Sequence, residues 1–306
     1  MELYLSKSLY ILLILISLSG VVNSQVALLL GFLFTLIFTN PFIKHSQKAI
    51  HLLLKISVVG LGFGMFIKET FETSKEGLGL TFYSIILTVS IGLILTKLLK
   101  LDRKLGHLIT SGTSICGGSA IAAISPVIKA NGKTISLALG IVFLLNSIAL
   151  FVFPPIGHWF NLNHGQFGLW CAIAIHDTSS VVGAAMGYGD EALRIATTVK
   201  LSRTLWIVPL SICSMFLFKT KGEKIKIPYF IGLFILAIVI NSYGVLPTAI
   251  TGNIVFISKR LLVVTLFLVG SAISIKDLKQ TGFKPIALAI SLWVFISVFS
   301  LIYICF

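Results

Sequence analysis

Residues 111–123, SGTSICGGSAIAA, and residues 176–189, HDTSSVVGAAMGYG, decide the fold. Each stretch lies inside an apolar segment, 105–128 and 166–188. Each gathers Gly, Ser and Thr where that segment would run deepest in a membrane. Gly117-Gly118 is a poor choice inside a straight helix, where each glycine costs ~1 kcal/mol relative to alanine. His176-Asp177 is costly against lipid and must face protein or water. Close packing through small residues explains the glycines alone. Helices that break at mid-depth and turn free backbone groups into a cavity explain both features.

The rest of the chain supplies the membrane. Of 306 residues, 57% are apolar and 11% charged, with a mean hydropathy of +1.03. Soluble domains carry about 25% charged residues, so a soluble enzyme and a disordered chain are excluded. The apolar residues form long runs rather than alternating, which excludes a transmembrane β-barrel. A polytopic helical protein remains, because helices satisfy their own backbone in lipid. Runs long enough to cross ~30 Å of hydrocarbon lie near 8–22, 26–39, 50–67, 77–96, 134–153, 195–218, 228–246, 254–275 and 285–305. The first resembles a signal peptide in outline. It lacks an Ala-x-Ala-like site and another run follows at once, so a retained helix is expected.

The net charge of +14 comes from 24 Lys+Arg against 10 Asp+Glu. The basic residues cluster between the runs: Lys44 and Lys48; Lys97, Lys100, Arg103 and Lys104; Lys219, Lys221, Lys224 and Lys226; Lys276, Lys279 and Lys284. That is the positive-inside pattern and not a nucleic-acid surface. The four cysteines form no CxxC pair, so neither zinc nor a disulfide framework is indicated.

Two internal matches suggest a duplicated unit. An offset of 62 lays Gly106 on Gly168 and Ala122-Ala123 on Ala184-Ala185. An offset of 208 lays 51–69 on 259–277, with Gly62 on Gly270 and Ile67-Lys68-Glu69 on Ile275-Lys276-Asp277. The second copy is then in permuted order. Charge decides the topology. Eleven full crossings would put Lys129 and Lys133 outside and the loop at 154–165, which has no Lys or Arg, inside. Nine crossings with two re-entrant hairpins put every basic cluster in the cytoplasm and give the paired segments opposite orientation. The expected fold is therefore all-α, with nine transmembrane helices, two interrupted or re-entrant segments and inverted-repeat architecture; eleven spans is the alternative.

The segment Ser111 to Ala130, SGTSICGGSAIAAISPVIKA, resembles the signature of a bacterial inner-membrane family named for sulfate export. His176 to Pro209 resembles its second signature, and the likeness runs across nearly the whole chain. That family is similar to transporters of the bile-acid symporter and cation-proton antiporter fold group, in which a core holding two interrupted helices moves against a scaffold. The resemblance implies one transport domain over 1–306, in the inner membrane. It implies core segments at 50–153, 166–218 and 254–306, and scaffold helices around 8–39 and 228–246. Many relatives have Glu after the His of the second motif, where this chain has Asp177; the acid is kept with a shorter reach.

Two half-helix N-termini meeting at mid-depth would form an anion site through free N–H groups and the helix dipole. Hydroxyls of Ser111, Thr113, Ser114, Ser119, Thr178, Ser179 and Ser180 could bind sulfate or sulfonate oxygens, or a desolvated cation. Cys116, Gly117 and Gly118 complete the first tip. Lys200 and Arg203, one turn apart, either neutralise an anion or pair with Asp177 or Glu191. A histidine side chain ordinarily titrates near neutral pH, so His176 would suit proton coupling; a structurally satisfied His–Asp pair is the alternative. Gly60-Leu-Gly-Phe-Gly64 reads as a packing face rather than a pore. No nucleotide-binding loop is present to drive transport by ATP hydrolysis, and no GxSxG elbow supports an intramembrane hydrolase. The expected protein is a non-enzymatic secondary transporter of a small anion, with a channel-like or sensory membrane protein as the alternative. Its expected partners are the solute, a coupling proton or cation and the bilayer. No cofactor, metal or nucleic acid is expected, and a homodimer is left open.

Overall fold

The computed structural model describes residues 2–38, 40–220, 229–272 and 282–305. Among them the chain forms α1 (Glu2–Ser19), α2 (Ser24–Ile37), α3 (Ile43–Gly62), α4 (Ile67–Leu98), α5 (Arg103–Ser114), α6 (Gly118–Val127) and α7 (Gly132–Trp159). There follow α8 (His164–Ala174), α9 (Thr178–Tyr188), α10 (Asp190–Thr204), α11 (Ile207–Phe218), α12 (Phe230–Ser242), α13 (Thr248–Ser271) and α14 (Phe283–Cys305). The described residues contain no strand. Five helices are long and apolar enough to cross a membrane: α4, α7, α10 continued by α11, α13 and α14. With the shorter α1, α2 and α12 and the more polar α3, the through-running helices reach the expected nine among the described residues.

Both odd segments turn back on themselves. Lys104, in the first turn of α5, donates from Nζ to the Lys129 carbonyl just beyond α6, at 2.7 Å. A straight crossing of 25 residues would separate those atoms by more than 30 Å, at ~1.5 Å per residue. Thr220 Oγ1 donates to the Val127 carbonyl at 2.7 Å and Arg103 to that of Leu217 at 3.1 Å, so the end of α11 shares this basic face. At the second hairpin, Tyr188 Oη donates to the Leu162 carbonyl at 2.7 Å, and its ring stacks on Phe167 with centroids 3.7 Å apart. The end of α9 thus returns to the start of α8. Each hairpin begins with a side-chain cap: Asp102 on Leu105 N, and Asn163 in a capping box with Gln166. Both odd segments are hairpins and not straight crossings, as the charge pattern leads one to expect. Single cysteines at Lys133 and Asn161 should therefore label from opposite sides of the membrane. Lys133→Cys should be the one that labels from the cytoplasm; its labelling from outside would contradict the hairpins and restore eleven spans.

Several boundaries differ from the sequence reading. α7 runs through Pro154-Pro155 to Trp159 instead of ending before them. The run 195–218 breaks at Leu205-Trp206, where Pro209 can offer no N–H to the preceding turn. The two breaks, 115–117 and 175–177, align with an offset of 60 rather than 62. Lys221, Lys224, Lys226, Lys276 and Lys279, and the match at Ile275-Lys276-Asp277, lie outside the described residues.

The helices pack in two groups. α1, α2, α3, α12 and α13 form a panel; α4 to α11 and α14 form a body around the hairpins. The packing is reciprocal. α2 precedes α3 and lies on α13, while α12 precedes α13 and lies on α3. α4 packs on α5 and α10 as α14 packs on α8 and α7. This is the permuted, inverted duplication, with α3 answering α13 and α4 answering α14. Glycines let the panel helices touch: a Cβ at Gly31 would strike the Phe267 carbonyl, and one at Gly270 the Leu28 carbonyl. Gly60 and Gly62 meet Ser258 and Phe234 in the same way, so the glycine run of α3 is a packing face.

Candidate functional site

Each hairpin brings a helix C-terminus and a helix N-terminus to its tip, and the two tips meet. Gly117 holds φ +62°, a left-handed conformation that glycine adopts without a Cβ penalty. A Cβ built on it would stand 3.3 Å from Asp177 Cα, so the break of one hairpin lies against the break of the other. The surrounding residues are sealed. Cys116, His176, Lys200 and Arg203 have no exposed surface, and Asp177 is 7% exposed.

The C-terminal ends at the tips are negative and each receives a cation from α10. Lys200 Nζ donates to the carbonyls of Ala172 and Ile175 at 3.2 and 2.7 Å, at the end of α8. Arg203 Nε donates to the Ser114 carbonyl at 2.9 Å, at the end of α5. A second guanidinium nitrogen of Arg203 reaches the same carbonyl, and the third donates to Ser84 Oγ at 2.9 Å. Lys200 and Arg203 sit one turn apart, so a single face of α10 grips both breaks. Cations at helix C-termini are favourable through the dipole, and a charged donor gives the stronger kind of hydrogen bond. These contacts answer the alternative in which the two cations bridge to Asp177 or Glu191. Their hydrogen bonds go to backbone carbonyls and Ser84, and Glu191 lies 3.8 Å from His164.

The N-terminal ends differ from each other. Asp177 is the N-cap of α9: its carboxylate accepts from Ser179 N at 3.0 Å and from the Ser179 hydroxyl. α6 begins at Gly118 without a side-chain cap. The second break is held by Asn146 of α7, whose Oδ1 accepts from His176 N at 3.0 Å and Asp177 N at 3.2 Å. Sequence reasoning missed Asn146 and Ser84. The signal for Asn146 was a lone amide in an apolar run, which in lipid needs a partner. For Ser84 it was a row of hydroxyls on α4, with Thr81 one turn before it and Thr88 one turn after.

The expected hydroxyls divide. Ser111 and Ser114 turn back on their own helix, to the His107 and Ser111 carbonyls at 2.7 and 3.1 Å. Thr178 and Ser180 are buried in the first turn of α9, and Ser119 is exposed in the first turn of α6. Thr113 Oγ1, both ring nitrogens of His176 and Asn146 Nδ2 are buried with no hydrogen-bond partner among the described residues. Buried polar groups are nearly always satisfied, so the His176 ring and the Asn146 amide, adjacent at the second break, are groups that a polar ligand or ordered water would complete. Thr110, Thr198 and Ser211 elsewhere in the fold are buried without a partner as well.

Related proteins cover the same length of chain. A UPF0324 membrane protein of Photobacterium profundum is 51% identical over 303 residues, covering 99% of this chain and 93% of its own. One of Bacteroides thetaiotaomicron is 48% identical, covering 94% of this chain and 88% of its own. Among solved structures, a sodium proton antiporter of Methanocaldococcus jannaschii is matched over 96% of this chain and all of its own. The match has 14% identity and a TM-score of 0.27, too loose to equate individual helices. Residues 3–289, which hold both hairpins and every residue of the tips, match the family described as Conserved hypothetical protein 698, and the chain belongs to it.

Proposed function

We propose that the chain is a secondary transporter that carries a small anion, sulfate- or sulfonate-like, bound where the two hairpin tips meet. The observation that carries this reading is the charge balance. Two fully buried cations, Lys200 and Arg203, share the tips with one buried carboxylate, Asp177. A buried charge needs an opposite charge close by, and a small anion would balance the second cation. Thr113, His176 and Asn146 supply hydrogen-bonding groups that lack a partner, and the uncapped start of α6 supplies backbone N–H groups. His176 and Asp177 are the groups at which a coupling proton or cation would act.

Alternating access follows from the two packing groups: the hairpin body moves against the panel, in the inner membrane. On this reading 50–67 and 254–272 belong to the scaffold rather than to the core, which the packing of α3 and α13 with α2 and α12 supports. The test is thermal stability of the purified chain in graded sulfate or methanesulfonate at constant ionic strength. Binding to the folded state raises stability by about 2.7 kcal/mol at a hundredfold excess over Kd. The melting temperature should rise with these anions and not with chloride. A rise with sodium or protons alone would leave the anion without support and assign the site to a cation.

A further inference from the structure

The two hairpins are related by symmetry, yet the panel treats them differently. α9 is covered: a Cβ at Gly183 would meet Leu266 of α13 at 2.7 Å and Ser24 of α2 at 3.5 Å, and one at Gly187 would meet Gln25 at 3.6 Å. Val182 is fully buried, and Met186 packs against panel residues. Offset by 60, Val182 and Met186 correspond to Ala122 and Pro126 of α6, both exposed as Ser119 is, while Gly183 and Gly187 correspond to Ala123, half-buried, and Val127, buried. A polar residue exposed at the tip of a hairpin faces water more readily than lipid. On the side of α9, one ion pair ties the panel to the body: Lys259 of α13 to Asp190 at the start of α10, at 2.6 Å. Both residues line a cleft with Leu61, Met65, Leu193 and Val255.

We propose that the contact of α9 with α2 and α13 is a closed gate on the side away from the basic face, latched by Lys259–Asp190, and that the tips are reached from the basic, cytoplasmic side along the bare face of α6. This rests on the transporter reading, but its test reads sidedness and needs no substrate. If the anion reading fails, the gate can still be found; if the gate fails, anion binding is untouched.

The experiment uses the full chain in vesicles of both orientations, with Cys213 and Cys305, the exposed native cysteines, replaced by serine. Ser119→Cys should react with a membrane-impermeant maleimide from the cytoplasmic side and at least tenfold more slowly from the other. Leu193→Cys, beneath the latch, should react from the outer side only as the gate opens. Adding Ser24→Cys and Gly183→Cys should allow a disulfide, since a Cβ–Cβ separation of 3.5 Å is within the bonding range. Oxidation should then cut outer labelling of Leu193→Cys at least tenfold, and reduction should restore it. Lys259→Gln should raise that labelling two- to fivefold, the scale of a partly exposed ion pair. The exchange Lys259→Asp with Asp190→Lys should return it. Outer labelling of Leu193→Cys that ignores both the disulfide and Lys259→Gln would overturn the gate. So would labelling of Ser119→Cys from the outer side alone. If the double cysteine variant does not fold, the Lys259 variants decide the matter alone.

Discussion

Arg203→Ala should lower the melting temperature of the purified protein by roughly 10 °C or prevent its recovery in folded form. Arg203 is fully buried and holds the Ser114 carbonyl and Ser84 Oγ. Hydrogen bonds from a charged donor are worth ~1.5–3 kcal/mol each, and their loss here leaves a carbonyl unsatisfied in the protein interior. A total of about 3–5 kcal/mol belongs with the largest single-residue effects, and a stability loss of that size moves the midpoint by several degrees per kcal/mol or fewer. Arg203→Lys should recover part of the loss, because one ammonium cannot span both acceptors as the planar fork does. Lys129→Ala, at the exposed basic face, should change neither stability nor anion affinity appreciably, since screening is strong there. An unchanged melting temperature in Arg203→Ala, with anion-dependent stabilisation gone, would make Arg203 a ligand of the solute instead of a clamp on the first hairpin.

Gly117→Val should abolish stabilisation by sulfate or methanesulfonate while the protein still inserts. The valine would have to hold φ +62°, at a cost of ~1–3 kcal/mol. Its Cβ would also press on Asp177 Cα at 3.3 Å, where backbone and not a flexible side-chain end must yield. The two tips would separate, and the site between them would lose its shape. Gly118→Ala is the control. Its Cβ would meet the edge of the Phe143 ring at 3.0 Å, which can turn aside, so affinity should change by less than about threefold. Retained affinity in Gly117→Val would remove the first tip from the site.

The breaks were legible in the sequence because Gly117-Gly118 and His176-Asp177 are expensive in an apolar helix and cheap at an interruption. Re-entry was legible from charge alone, since Lys129 and Lys133 share a face with Arg103 and Lys104 only if the chain turns back. The targets of Lys200 and Arg203 were not legible. They bind main-chain carbonyls of Ala172, Ile175 and Ser114, and a carbonyl carries no trace of its role in residue identity. Asn146 was visible as a residue but not as a cap, because its partners lie thirty residues away across a helix packing that only tertiary structure defines. The sequence reading put 8–39 and 228–246 in one group, as α1, α2 and α12 pack here, and put α3 and α13 in the other. α3 and α4 are neighbours in sequence and both apolar, and nothing in their composition says that one belongs with α13 and the other with α14.

The grip of α10 on both breaks has a consequence for selectivity. Lys200 and Arg203 are fixed to one rigid rod and hold the ends of α8 and α5 at a set spacing. Neither tip can shift without dragging the other, so on the transporter reading the two tips would move as one unit with the same lining at both ends of the journey. On that reading the choice among solutes would be made once, by one set of atoms, whichever face of the membrane loads it. Direction would be decided elsewhere, by the gradients on either side and by the surfaces between body and panel.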